Sequence, residues 1–127
     1  MDETSARFLI RPVGPMAEVV YLGAIAGRHL ASMRDAVLDG TRGTVGLLIR
    51  LDTSLLLYDE LPTPNPNAYR ENSAPAAVIV GAHAYAMHVE YSRKMAQLGV
   101  LRAVFLSSQI EQARNWSEWA QRVRSGQ

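Results

Sequence analysis

The residues of this chain able to do chemistry collect at the ends of its apolar runs. Asp52, Thr53 and Ser54 follow Thr44 to Leu51, His83 follows Ala76 to Val80, and Ser107 follows Leu101 to Leu106. An acid, an imidazole and hydroxyls are the parts of nucleophilic hydrolysis. In that scheme His83 is the base, Ser107 or Ser54 the nucleophile, and Asp52 the orienting group. No Gly-x-Ser-x-Gly elbow accompanies them. Ser, Thr and Asp after strands are also ordinary helix caps, because their oxygens accept from the free backbone N–H groups of a first turn. The reading adopted is that no residue is catalytic, with a hydrolase as the minor alternative. Asp52, Thr53, Ser54, His83 and Ser107 are instead expected to line a ligand cleft. In open parallel sheets ligands sit beyond the carboxyl ends of strands, where helix N-termini converge.

Metal and cofactor chemistry find no pattern. The chain has no cysteine, which removes thiolate sites and disulfides. His83 and His88 are five apart, about 140° around a helix, whereas ligands at i and i+4 share a face. His29 lies on another element. The glycines Gly23 and Gly27 lack the dinucleotide-binding spacing, and no phosphate-binding loop occurs. No metal and no cofactor is expected.

The elements that must position these residues follow from periodicity. Arg7 to Val13 and Ala17 to Ile25 are rich in β-formers around Gly14-Pro15, which predicts a hairpin. Leu30, Met33 and Val37 predict a helix over 28–39, with Gly40 in the left-handed position that ends helices. Thr44 to Leu51 reads as a strand covered on both faces. Leu55 to Tyr58 is open between a helical turn and a strand. The stretch 59–75, with Pro62, Pro64, Pro66 and Pro75, predicts a connector, a lid or a partner-binding segment.

The spacing predicts a helix over 83–98 with two apolar stripes. Ala84, Met87, Tyr91, Met95 and Leu98 should pack on the sheet. Tyr85, Val89, Ser92 and Ala96 form the second stripe. A fully exposed face would carry more charge, so this stripe is expected to be a dimer or partner face, covered by another subunit or by the proline-rich stretch. A strand over 101–106 follows, then a helix opened by a Ser108–Glu111 capping box. That helix shows Ala113, Trp116, Ala120 and Val123 on one side, with Trp119 at its edge. Strand, helix, strand in close succession demands a crossover and a parallel pair.

Size and charge bound the rest. A chain of 127 residues with 48% hydrophobic residues suits one domain over 1–127. Lys and Arg total 13 against 12 for Asp and Glu, a balance without the basic excess of a nucleic-acid surface. The apolar stretches are broken by Arg50, Asp52 and Gly81, short of a bilayer span. The acidic start, Met1 to Ala6, shows no signal-peptide pattern. A cytoplasmic location is expected.

The runs AVIVGAHAYAMHVEYSRKM and VFLSSQIEQARNWSEWA resemble the C-terminal half of SpoIIAA-like proteins, also called STAS-like. The carrying features are a strand, a helix opening at Ala84-Tyr85-Ala86-Met87, a Val-Phe strand, and a last helix with Ala113 and Trp116 or Trp119. The resemblance implies one mixed, largely parallel sheet of about five strands starting with a hairpin. Helices would pack on it in a βα superhelical arrangement. It also implies kinship with anti-anti-sigma factors and lipid-transfer domains. The anti-anti-sigma members switch by phosphorylation in an Asp-Ser-Ser-Gly-like turn. Here Asp52-Thr53-Ser54-Leu55 lacks the glycine and follows a strand directly, so this chain departs from the switch motif. The expectation is a non-catalytic regulatory or protein-interaction module, a homodimer. The alternative is a small-molecule or lipid-binding carrier with a pocket near Leu55, Leu57, Tyr91 and Met95.

Overall fold

The structure is a computed structural model and describes residues 6–58, 61 and 74–124. The proline-rich stretch lies outside the described residues apart from Leu61, Ala74 and Pro75.

Strands β1 (Arg7–Val13) and β2 (Met16–Leu22) form the antiparallel hairpin. Gly14 turns it with φ of 61°, a conformation that costs an L side chain its Cβ clearance. At the far end of β2, Gly23 adopts φ of 83° and swings the chain out of the main sheet. The apolar run 17–25 is therefore divided between two sheets. Its last part is β3 (Ala24–Ile25), which pairs in parallel with β5 (Leu55–Leu56). The Leu55 N–H donates to the Gly23 carbonyl at 2.9 Å and the Leu57 N–H to the Ile25 carbonyl at 2.8 Å. Backbone pairing with a distant segment thus makes Leu55 and Leu56 a strand.

Helix α1 (Gly27–Gly40) turns Leu30, Met33 and Val37 toward the core, as its spacing requires. Gly40 is not the left-handed residue expected there. It is the last helical residue, the backbone N–H of Thr41 closes the helix on Val37, and the positive φ falls later, at Gly43. A Cβ at Gly40 would lie 2.5 Å from Cδ1 of Ile10 on β1, the movable tip of that side chain.

Strands β4 (Leu47–Arg50), β6 (Ala76–Val80) and β7 (Arg102–Leu106) complete a five-stranded sheet in the order β1-β2-β4-β6-β7. All pairs after the hairpin are parallel, with Ala76 opposite Arg102 and Val80 opposite Leu106. The fold is α/β, a mixed and mostly parallel sheet with helices on it. Strand β6 is wholly buried because both faces are covered. Val78 and Val80 join Val19, Tyr21 and Leu51 under α1 and the second helix. Ala77 and Ile79 join Leu48 under the third. Each such Val or Ile stabilises the fold by roughly 1.5–3 kcal/mol through burial.

Helix α2 (Tyr85–Gln97) links β6 to β7 after one 3-10 turn, Ala82–Ala84. The turn buries Ala84, and the helix buries Met95 and part of Met87, but Leu98, just past its end, is exposed. Helix α3 (Ile110–Arg124) follows β7 through the 3-10 turn Ser107–Gln109 and covers β6, β7 and β4. The expected Ser108–Glu111 capping box does not form. The Gln109 side chain instead accepts from the Leu106 N–H at 2.9 Å, because the 3-10 turn moves the helix start forward. The inward face of α3 is Ala113, Ser117 and Ala120, while Trp116 is partly buried against Phe105 and Val123 is exposed. Three small residues there let the helix lie close to the sheet. No helix among the described residues is long and apolar enough to cross a membrane.

Candidate functional site

Two places follow from this architecture. The first is the rim at the carboxyl ends of β4, β6 and β7, which holds the five residues of the expected cleft. The topology brings them to one end of the sheet, where Asp52, Thr53 and Ser54 are engaged locally and His83 and Ser107 are exposed. Asp52 takes a two-point grip from Arg50, at 2.9 Å to Nε and 3.0 Å to Nη2. That grip holds Arg50 more firmly protonated than usual, with Glu18 adding to it. Glu18 is itself buried on β2 and paired with both Arg11 and Arg50. The Thr53 hydroxyl donates to the Tyr21 carbonyl at 3.0 Å and the Ser54 hydroxyl to the Leu51 carbonyl at 2.8 Å. Both hydroxyls thereby fasten the turn after β4. His83 is exposed, with its ring close to Gly81, and Ser107 is exposed. Among the described residues no hydrogen bond joins Asp52, His83 and Ser107. Nor do three His, Asp or Glu side chains of the described residues converge as metal ligands.

The second place is a groove of about 310 Å³ between α2 and β7. One wall is the second stripe of α2, namely Tyr85, Val89, Ser92 and Ala96, together with Arg93. The other is Arg102, Ala103 and Val104. The structure thus unites all four stripe residues. Ser92 is buried, Val89 half-buried, and Tyr85 and Ala96 are exposed. Arg93 and Arg102 were not singled out in the sequence. Their alternate-position signal is weak, since Arg is scattered along the chain and the edge position of β7 is set by strand order.

Behind the groove sits a polar cluster. The Tyr58 hydroxyl and Nε2 of His88 share a hydrogen bond of 2.9 Å, with the rings edge to face. His88 is 2% exposed. Burial, and then the positive charge of Arg102, push its pKa down to about 4. Burial also pushes the Tyr58 phenol up, with Tyr21 adding to the rise and Arg102 opposing it. Both rings are neutral at neutral pH. Arg102 lies over the Tyr91 ring with its guanidinium carbon 5.3 Å from the centroid. Nε of Arg102, Oγ of Ser92 and Nδ1 of His88 are buried without hydrogen-bond partners among the described residues. The residues of the alternative carrier pocket part company: Met95 is fully buried, whereas Leu55 and Leu57 are 63% and 58% exposed. No protein-family model, curated protein or solved structure matches this chain.

Proposed function

We propose that this chain is a non-catalytic protein-interaction module of regulatory type, SpoIIAA-like in ancestry, whose contact surface is the α2–β7 groove. The observation that carries the reading is the open groove itself. The weakly charged stripe Tyr85, Val89, Ser92 and Ala96 flanks an edge strand, and no described residue fills the space between them. An apolar surface beside unpaired strand backbone is a template for a second chain. The rim supports chemistry less well, because Asp52, Thr53 and Ser54 are already committed to local bonds. The reading has two forms. A homodimer would cover the stripe with a second copy, and a partner protein would enter the groove.

Native mass spectrometry of protein purified from its host separates this reading from the carrier. A bound second polypeptide, its own copy or another, is the expected result. A lone chain retaining a hydrophobic small molecule would overturn it. Replacement of Val89 by Asp should release the bound polypeptide while leaving the melting temperature within a few degrees, since Val89 is only half-buried.

A further inference from the structure

We infer that the α2–β7 groove takes an extended peptide of a partner protein that adds to β7 as a sixth strand and presents an acidic side chain to Arg102. This rests on the interaction-module reading and names the occupant.

The backbone comes first. The Leu101 carbonyl accepts from the Ala76 N–H at 3.0 Å, so it points toward β6. Alternation along the strand then turns the N–H and C=O groups of Arg102 and Val104 outward, where no strand of the described residues meets them. The two edges of the sheet differ in their defences. Strand β1 carries Arg7, Arg11 and Pro12, residue types that discourage strand addition. Strand β7, Arg-Ala-Val-Phe-Leu, has no proline and one charge.

Charge identifies the occupant. Arg93 and Arg102 both line the groove. Arg93 has a surface ion pair with Glu90, whereas Arg102 has no carboxylate partner among the described residues. The Tyr91 contact places Arg102 under the middle of α2, and Arg102 is the first residue of β7. The incoming strand therefore needs an acidic residue at that end and apolar residues beside Val89 and Val104.

A second copy suits this edge poorly. Helix α2 lies against β7. Pairing β7 with its copy about a two-fold axis would set the strands about 4.8 Å apart. The two α2 helices, each against its own β7, would then crowd one face of the joined sheet, where helix axes require roughly 8–10 Å. Centred on Val104, such pairing would also put Leu106, not an acid, opposite Arg102. A free strand with no overlying helix meets neither obstacle.

The test uses fluorescein-labelled peptides of alternating Val and Thr in which one Val is replaced by Glu or by Lys. Anisotropy should show the Glu peptide binding about tenfold tighter than the Lys peptide, the scale of one charge-assisted hydrogen bond. Arg102→Glu should reverse that order. On the unaltered protein, NMR should show the Arg102 and Val104 amides gaining exchange protection on addition of the Glu peptide, with little change at the Ala103 amide, which already faces β6. Equal binding of the two peptides, or amide changes confined to the rim, would overturn the inference. A dimer that binds neither peptide overturns it and leaves the interaction module standing. A lone chain that binds neither and carries a hydrophobic small molecule overturns both.

Discussion

His88 is a titratable group held out of water and denied its proton. Its pKa in the folded chain is about 4, against 6.5 when unfolded. As pH falls below 6.5 the unfolded chain takes up the proton first, so acid favours unfolding. Stability should decline from about pH 6.5 and level off, for this residue, below about pH 4, by up to roughly 3 kcal/mol. Urea titrations at stepped pH measure the slope, and His88→Gln should flatten it. A slope unaltered in that variant would remove His88 as its source. The sequence set His88 apart from His83 around the helix, off the shared face that metal ligands need. It gave no sign that Tyr58, thirty residues earlier, would be the partner. That pairing needs β5 docked on β3, which is a tertiary event.

At the scale of elements, small residues decide how α3 meets the sheet. The periodic signal of that helix points to Ala113, Trp116, Ala120 and Val123, yet Ser117 takes the innermost place with Ala113 and Ala120. A polar residue on a buried face is invisible to an apolar count. The Ser117 hydroxyl is buried without a hydrogen-bond partner among the described residues. Ser117→Ala should therefore stabilise the protein by about 1 kcal/mol, the desolvation cost of an unmade hydrogen bond. Chemical denaturation measures it; a loss of stability would reveal a hidden partner for the hydroxyl. The helix boundaries shift for related reasons. The 3-10 turns ahead of α2 and α3 are adjustments to neighbours that local capping patterns do not encode.

At the scale of the whole molecule, strand order sets a gradient of protection. Strands β2, β4 and β6 are hydrogen-bonded on both sides, and β6 is wholly buried. Their amides should exchange last and approach the global unfolding free energy. The outward amides of Arg102 and Val104 should exchange among the fastest of any strand in the isolated protein. Hydrogen-exchange NMR reads both. Slow exchange at those two amides in an isolated monomer would mean that β7 is not an open edge.

The α/β class and the parallel neighbours β6 and β7 were determined by the chain alone. Short apolar runs joined by one helical stretch admit little else once crossover geometry is imposed. The hairpin and the inward face of α1 were legible for the same reason, since each depends on spacing within a single segment. Tertiary structure alone decided that Gly23 sends the run 17–25 into a second sheet, that Leu55 and Leu56 pair with β3, and that β7 ends the main sheet. Those outcomes rest on contacts between segments far apart in sequence, whose energies no local pattern carries. The stripe of α2 could be read from the sequence. Its meaning as one wall of a groove beside an edge strand required the order in which the strands were laid down.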